Sequence, residues 1–210
     1  MRVTREKAAE NRRKIVAAAC RLFREKGFDG VGVDAIMEGV GLTHGGFYGH
    51  FRSKEELAVE AVAHGFAVSS AWQGSMASLD DFVASYLSTR HRDDRGGGCL
   101  IAALGGDMAR QGAGVRRGLT EYVRAHLDRL TGWIGGRDAP ARREQAARYE
   151  QAAPREQAIA TLAGLIGALV LARAVDDPEL SDEILAASRA AYGNRSTAPV
   201  PSVGRAADRA

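Results

Sequence analysis

Apolar residues recur at intervals of three and four along almost the whole chain. The first such stripe contains Ile15, Val16, Ala19, Cys20, Leu22 and Phe23. Alternating runs rich in β-branched side chains are absent from the sequence. This spacing places the apolar residues on one side of an α-helix, so the sequence predicts an all-α fold. With 45% apolar residues among 210, the helices can bury one large core, or a small and a medium one.

Local start and stop signals divide this pattern into nine helices. Glycine adopts the positive φ of a helix C-terminus without strain, and small polar residues cap helix N-termini. By these signals Gly27 ends the first helix, Gly41 makes the turn between the second and third, and Pro154 takes the first position of the eighth. The predicted helices span 5–26, 33–39, 43–51, 53–71, 78–87, 99–110, 115–134, 154–175 and 178–193.

The start of the fourth helix has the clearest signal. Ser53 and Glu56 have the spacing of a capping box, in which each side chain accepts a hydrogen bond from the other's backbone N–H. At the other end of the chain, residues 194–210 lack apolar periodicity and are rich in Ser, Pro, Ala and Arg, which predicts a disordered tail.

Charge is concentrated at the N-terminus. The whole chain carries a formal charge of only +3, which by itself does not indicate nucleic-acid binding. Residues 1–14, however, hold six basic side chains against two acidic ones, Glu6 and Glu10, an excess of four. This segment is either a solvated helix end or an arm that contacts DNA, and the sequence does not decide between them.

Several classes of protein are disfavoured. The two cysteines, Cys20 and Cys99, lie far apart in helical segments, so neither a disulfide framework nor a zinc site is expected and a reducing, cytoplasmic location is favoured. The charged N-terminus is not a signal peptide, and the apolar run 158–172 is shorter than the ~20 residues of a membrane span. No phosphate loop, paired-histidine metal motif or nucleophile elbow occurs, so we expect no enzyme, metal or cofactor.

The second and third helices have the arrangement of a helix-turn-helix. Two short helices joined by a glycine turn, between a longer helix and a capped one, are the elements of this motif, whose second helix enters the major groove of DNA. Phe47 and Phe51 lie four apart and can anchor that helix, while Tyr48 and His50 present hydrogen-bonding groups elsewhere. Lys54 adds a cation in the first turn of the next helix, where both the side chain and the helix N-terminus can meet phosphate.

At these residues the chain resembles the TetR family of bacterial repressors. The resemblance runs from Arg12 to Leu57 through Ile15, Ala18, Leu22, Phe23, Gly27, Phe28, Val33, Ile36, Gly41, Gly45, Tyr48, His50, Phe51, Lys54 and Glu55. It implies that residues 1–51 form a helix-turn-helix DNA-binding domain and that 52–193 form a larger helical domain for effector binding and dimerisation. The partners implied are double-stranded operator DNA, a small-molecule effector and a second copy of the chain.

The resemblance also implies individual roles in the DNA-binding segment. Thr43 would cap the recognition helix, His44 and Gly46 would face base edges, and the phosphates would be held by Tyr48, His50 and Lys54. Gly45 and Gly49 complete the expected DNA-facing segment.

The chain departs from the family's pattern in this region. Gly32 stands where a capping serine or threonine is usual, Met37 and Val40 replace alanines between the two short helices, and Gly49 replaces a larger side chain that reaches DNA. The three glycines at 45, 46 and 49 each cost about 1 kcal/mol of helix propensity. We therefore expect the recognition helix to depend on tertiary packing.

The later helices predict a ligand pocket. Aromatic and apolar residues fall on the inward stripes of three successive helices: Phe82, Tyr86, Met108, Tyr122, His126 and Trp133. Because these stripes are nearly free of charge, we expect an apolar or aromatic effector, bound between the helices 53–71 and 154–175. Cys99 is either an inert buried residue or, by resemblance to a subgroup of the family, a sensor of electrophiles.

The last two helices, 154–175 and 178–193, are expected to pair as a hairpin and to form a four-helix interface between two copies. The residues expected there are the small Gly164, Gly167 and Ala168 and the apolar Leu165, Val170 and Leu185. Two other functions remain open: a helical small-molecule binder without DNA, and an architectural DNA-binding protein.

Overall fold

The computed structural model describes residues 4–135 and 147–193 of the chain. All regular secondary structure in these residues is helical. The helices are α1 (Arg5–Lys26), α2 (Val33–Glu38), α3 (His44–Phe47), α4 (Lys54–Gly74), α5 (Leu79–Tyr86), α6 (Thr89–Asp93), α7 (Leu100–Met108), α8 (Ala113–Ile134), α9 (Ala147–Ala174) and α10 (Pro178–Gly193). The predicted all-α fold is confirmed. The predicted tail at 194–210 lies outside the described residues.

The helices pack around two apolar cores. The first joins α1–α4 to α7 and the N-terminal half of α8, with Ile15, Phe23, Ile36 and Leu57 fully or almost fully buried. The second lies between α5, α8, α9 and α10. The predicted domain boundary after residue 51 falls between α3 and α4, yet the first core extends across it. The N-terminal helices are therefore packed onto the larger helical part rather than linked to it flexibly.

Several predicted helix boundaries are confirmed by their caps. Gly27 and Gly41 have φ of 77° and 72°, which a residue with a Cβ rarely adopts. The Ser53 hydroxyl accepts from the backbone N–H of Glu56 at 3.1 Å. The other half of the expected capping box is different, because the Glu56 carboxylate accepts from the N–H of Arg52 at 2.9 Å. Arg52 lies one residue upstream of the cap, and its side-chain Nε also donates to the Glu56 carboxylate, at 3.1 Å.

The structure differs from the predicted helices most clearly at three places. The third helix ends at Phe47, and 48–50 form turns, because glycine-rich sequence does not sustain a helix. The short helix α6 had not been predicted, since five residues carry too little periodicity. Pro154 lies inside α9, which begins at Ala147. The alanine-rich residues before the proline favour a helix, and proline removes a single backbone hydrogen bond.

The helices α9 and α10 form the predicted hairpin. The Ser181 hydroxyl donates to the carbonyl of Ala172 at 2.6 Å, and Asp177 caps α10 by accepting from the N–H of Glu179 at 2.9 Å. Most residues expected at an interface between copies are instead used within the chain: Leu165, Ala168 and Leu185 are buried, and Gly164 lies against the Tyr192 ring. Only Gly167 and Val170 of that set remain on the outer side, because α8 and α10 cover the other face of α9.

One described helix segment, Pro154–Ala174, is long and apolar enough to cross a membrane by length and composition alone. The apolar run had been expected to be too short, but the helix continues on both sides of it. The inner face of the segment is buried in the second core, at Leu162, Leu165 and Leu169. Core helices of soluble proteins pass the same test, so this is weak evidence for a membrane span.

Candidate nucleic-acid interface and ligand cavity

The turn between α2 and α3 is held by backbone hydrogen bonds. The N–H of Leu42 donates to the carbonyl of Met37 at 2.9 Å, and Gly41 supplies the positive φ that reverses the chain. Thr43 then takes the N-cap position of α3 in an extended conformation. Within the described residues its side chain makes no capping hydrogen bond, so the position expected for Thr43 is found without the expected bond.

Two phenylalanines anchor α3. Phe47 and Phe51 are each 1% exposed, and their rings stack with centroids 5.6 Å apart. Met37 of α2 is fully buried, and a Cβ added to Gly46 would lie 3.6 Å from its methyl carbon. Gly46 therefore turns its side-chain position towards α2, while Gly45 has open space beside it. Contact of Gly46 with base edges stays a prediction.

The residues predicted to meet DNA are all exposed or half-buried. Those with exposed side chains or backbone are Thr43, His44, Gly45, Gly46, Tyr48 and Gly49, and those half-buried are His50 and Lys54. Tyr48 is 64% exposed although it is a large aromatic residue. Its ring packs edge-on against Phe47 at 5.3 Å, which fixes it without burying it. His44 is partly engaged, because its Nδ1 lies 2.5 Å from an Asp34 carboxylate oxygen.

Arg12 of α1 holds this segment in place, a role that the sequence analysis had missed. Its guanidinium donates to the carbonyl of His50, forms ion pairs with Glu60 and Glu56 of α4, and lies 4.1 Å from the centre of the Phe51 ring. It thus ties α1, the end of the recognition segment and α4 together. Its place in the basic N-terminal run was visible in the sequence, but its partners lie 38 to 48 residues away.

The N-terminus of α4 offers a second cationic position. Lys54 is the first residue of the helix and makes no ion pair within residues 4–135 and 147–193. Arg52 is more exposed, but Glu56 neutralises it. Lys54 is therefore the side chain at this helix end that is free to meet a phosphate.

Two basic residues of the N-terminal run form ion pairs within α1. Lys7 and Lys14 both form ion pairs with Glu10, at 3.0 and 2.6 Å. These two lysines lower the pKa of the Glu10 carboxyl to about 2, through hydrogen bonds first and then through their charge. The pairing favours a solvated helix end for this segment, and residues 1–3 lie outside the described part of the chain.

A cavity of about 450 Å³ lies in the larger helical part. It is lined by residues of α4, α5, α6 and α8 and of the loop before α7: Val68, Ser69, Trp72, Gln73, Ser85, Tyr86, Ser88, Arg90, His91, Asp94, Gly97, Gly98, Cys99 and Tyr122. Three residues predicted for the pocket, Tyr86, Cys99 and Tyr122, are among them. The cavity is bounded by α4 as expected, but the opposite side is α5 and α6 rather than α9.

The other four predicted pocket residues do not line this cavity. Phe82 and Met108 are fully buried in the two cores. His126 is 3% exposed, and Trp133 packs against Phe82 with ring centroids 5.6 Å apart. The predicted burial of the inward-facing residues is confirmed, but most of them pack between helices instead of lining the cavity. Binding of an effector by any of these residues stays a prediction.

A buried polar group closes the inner end of the cavity. The Gln73 amide lies 2.6 Å from the Tyr122 hydroxyl and 2.9 Å from Nδ1 of His126. Burial lowers the pKa of His126 to about 4 and raises that of Tyr122 to about 12, so both side chains are uncharged near neutral pH. Gln73 and Trp72 had been missed because the fourth helix was expected to end at Ala71. The apolar spacing of α4 continues to them.

His91 of α6 fixes the opposite wall. Its Nδ1 donates to the carbonyl of Tyr86 at 2.6 Å, and its Nε2 accepts from the backbone N–H of Cys99 at 2.9 Å. Burial lowers the pKa of the imidazole, which agrees with a neutral ring that donates through one nitrogen and accepts through the other. The ring therefore connects the end of α5 to the start of α7.

The loop between α6 and α7 also contacts the N-terminal helices. Arg24 of α1 donates to the carbonyl of Gly96, and a Cβ on Gly96 would lie 2.9 Å from the Arg21 side chain. Two residues further, Gly98 and Cys99 line the cavity. One short loop thus touches both the cavity and the helix that supports the recognition segment.

The two cysteines differ in accessibility. Cys20 is 2% exposed and burial raises its pKa, while Cys99 is half-buried in the cavity wall. We expect brief treatment with iodoacetamide to label Cys99 before Cys20, as measured by mass spectrometry of tryptic peptides. Equal labelling of both thiols would contradict the placement of Cys99 in an accessible wall. Whether Cys99 is a sensor stays a prediction.

No group of three His, Cys, Asp or Glu side chains is placed to hold a metal ion among the residues that the structure describes.

Comparison with known proteins identifies the N-terminal segment. The profile described as "Bacterial regulatory proteins, tetR family" matches residues 15–61. The HTH-type transcriptional regulator LmrA of Bacillus subtilis (strain 168) is 44% identical over 54 residues, which are 25% of this chain and 29% of LmrA. The HTH-type transcriptional regulator AcrR of Shigella flexneri is 36% identical over 59 residues, 28% of this chain and 27% of AcrR. These matches therefore span less than a third of either relative.

Solved structures resemble the chain over nearly its whole length. A TetR transcriptional regulator of Chloroflexus aurantiacus has a TM-score of 0.70 at 23% identity, covering 88% of this chain and 95% of that one. AibR, solved in complex with isovaleryl coenzyme A and operator DNA, has a TM-score of 0.57 at 15% identity, covering 87% and 98%. At these identities the likeness establishes a shared fold.

Proposed function

The chain belongs to the TetR family of bacterial regulatory proteins through its N-terminal segment, and on this premise we propose that it is a homodimeric transcriptional repressor. It binds operator DNA and is released from it when a small uncharged effector binds. The observation that carries the proposal is the recognition segment. Phe47 and Phe51 bury one side of it, while Thr43, His44 and Tyr48 remain exposed on the other. A buried anchor with an exposed polar face is what a helix entering the major groove requires.

Dimerisation is supported by the outer face of α9. From Ile159 onwards every exposed residue of this helix is apolar or small: Ile159, Ala160, Ala163, Val170, Leu171 and Ala174. They fall within about a third of the helix circumference, by the 100° rotation per residue of an α-helix. A continuous apolar stripe of this length marks an interaction surface. A two-fold dimer also provides the two recognition helices that are needed one turn of DNA apart.

Effector control is supported by the position of the cavity. It is bounded by α4, whose capped start leads to the recognition segment, and by the loop that Arg24 of α1 holds. A ligand that prefers one position of these elements shifts the DNA-binding equilibrium, and a tenfold change needs about 1.4 kcal/mol of differential binding. The neighbour AibR was solved in complex with a ligand and operator DNA, so a protein of this fold binds both kinds of partner. Such a regulator acts in the cytoplasm.

The role of Lys54 provides a test of DNA binding. We expect Lys54→Ala to weaken binding about equally on all DNA sequences and to lower the slope of log affinity against log salt by about one, because one phosphate contact is lost. Fluorescence anisotropy of a labelled duplex over a salt series measures both quantities. Lys26→Ala makes the same charge change at the far end of α1 and should leave the slope unaltered. An unaltered slope in Lys54→Ala would place this lysine away from phosphate.

Two alternative functions predict different results in the same experiment. A helical ligand-binding protein without DNA function gives no binding at any salt concentration. An architectural DNA-binding protein binds, but unlabelled random-sequence DNA competes as well as a selected operator. Retention of a selected operator against excess random competitor supports the regulator.

A further inference from the structure

We propose that the cavity binds an uncharged aromatic molecule that carries a carbonyl-type hydrogen-bond acceptor, positioned to accept from the Tyr86 hydroxyl. This inference rests on the proposed function, since it names the class of effector for the same site. It is based on one buried hydroxyl without a hydrogen-bond partner and on the partners that other polar groups of the cavity wall already have.

The Tyr86 hydroxyl is buried without a hydrogen-bond partner among the described residues. Tyr86 lines the cavity and is only 3% exposed. The neighbouring Cys99 thiol is at most a weak acceptor. A buried hydroxyl without a partner is unfavourable, so a ligand that satisfies it gains affinity that an apolar ligand of the same shape does not.

The hydroxyl stays protonated near neutral pH and is therefore able to donate a hydrogen bond. Burial, and to a smaller extent the adjacent Cys99, raise the pKa of Tyr86 well above its ordinary value. The group therefore keeps an O–H for which the described residues provide no hydrogen-bond acceptor. The matching group on the ligand is an acceptor, such as a ketone, amide or ester carbonyl.

Two other polar side chains of the wall, His91 and Gln73, already have partners. Both nitrogens of His91 are used by backbone groups, and the Gln73 amide contacts Tyr122 and His126. Among the described residues that line the cavity, Tyr86 is thus the one whose buried polar atom has no hydrogen-bond partner.

The lining of the cavity favours an uncharged ligand, because its charged side chains lie at the rim. Arg90 and Asp94, of opposite charge, lie exposed at the rim. Arg173 lies behind the wall, where its guanidinium donates to the backbone carbonyls of His91, Arg92 and Asp94. A ligand charge placed between Tyr86 and Tyr122 would lose water, and no charged side chain of the described residues lines the cavity between them to form a direct ion pair, which is costly.

The wall is aromatic enough to favour a flat ligand. Trp72 and Tyr86 both approach the His91 ring, with centroids 6.0 and 4.8 Å away, and Tyr122 bounds the cavity from α8. The volume of about 450 Å³ lies within the range of small-molecule sites. A two-ring aromatic compound of the size of a substituted naphthalene is a suitable probe.

The proposal is tested with two probes and two proteins. The probes are 2-acetylnaphthalene and 2-ethylnaphthalene, which have nearly the same shape and differ in the carbonyl acceptor. Affinities are measured by quenching of tryptophan fluorescence and by calorimetry, in full-length protein and in Tyr86→Phe. We expect the ratio of the two affinities, acetyl over ethyl, to fall by roughly fivefold to tenfold in Tyr86→Phe, since one hydrogen bond is lost. The same ratio in both proteins would overturn the proposal.

Two controls make the result specific. Tyr192→Phe removes a tyrosine hydroxyl outside the cavity, beside Gly164 of α9, and the ratio should stay at its original value. Tyr86→Phe should melt no lower than the original protein, because it removes an unsatisfied buried group. Failure of both probes to bind the original protein would overturn the assigned ligand class. Because the assay contains no DNA, probe binding by a protein that binds no operator would overturn the proposed function and leave the ligand class standing.

Discussion

Val170→Glu is expected to convert the dimer into a monomer and to lower operator affinity by roughly 10²- to 10⁴-fold. Val170 lies 40% exposed on the apolar outer stripe of α9, and a carboxylate there would be buried without a partner in the interface. Two linked recognition helices bind with an advantage of this size over a single one, because the second contact is intramolecular. Sedimentation at micromolar concentration and anisotropy with a labelled operator measure the two effects.

A matched variant separates loss of the dimer from a general surface effect. Val68 of α4 is 51% exposed, and Val68→Glu introduces the same charge away from α9. This variant should remain a dimer. A dimeric Val170→Glu protein, or an original protein that sediments as a monomer, would show that the stripe on α9 is not the interface.

Phe47→Ala is expected to abolish specific DNA binding while the protein stays dimeric. Phe47 is 1% exposed, and truncation of a buried phenylalanine costs about 3–5 kcal/mol of folding free energy. The loss falls on a helix of four residues, two of them glycine, which has little intrinsic tendency to form. Without its anchor the recognition segment loses its fixed position, and Tyr48 loses the ring against which it packs.

The comparison is with Phe82→Ala, which removes an equally buried ring from the second core. Both variants should lower the midpoint of denaturant unfolding, but only Phe47→Ala should reduce the operator affinity of the folded protein by more than tenfold. Sedimentation checks that both remain dimers at the temperature of the assay. Equal operator affinities in the two variants would show that Phe47 is not the specific support of the recognition segment.

The helical fold and most helix ends could be predicted because their causes are local. The period of apolar residues defines a helix within a few turns, and a cap is set by residues three positions apart, as Ser53 and Glu56 show. Gly27 and Gly41 mark chain reversals because only glycine readily adopts a positive φ. The exposed residues of the recognition segment could be predicted for the same reason, since Phe47 and Phe51 define the buried side of a short segment, and their contact with DNA stays a prediction.

Other features depended on contacts between distant parts of the chain. Arg12 could not be recognised as the clamp of the recognition segment, because its partners His50 and Glu60 meet it only in the folded protein. The pocket prediction was correct about burial but not about which residues face open space. Phe82 and Met108 are in the core, while Gln73 and His91 line the cavity.

The last two helices show most directly what could not be predicted from the sequence. The sequence by itself determined that 158–172 is an apolar helix, because hydropathy and spacing are properties of the residues. A helix that is apolar on all sides has no polar face to show which side is turned inwards. Only the tertiary structure decided that Leu165 and Ala168 pack within the chain and that Val170 and Leu171 remain outside. The physical reason is that the buried side of a helix depends on which helices pack against it. For α9 these are α8 and α10, and their positions are fixed by the packing of the whole chain.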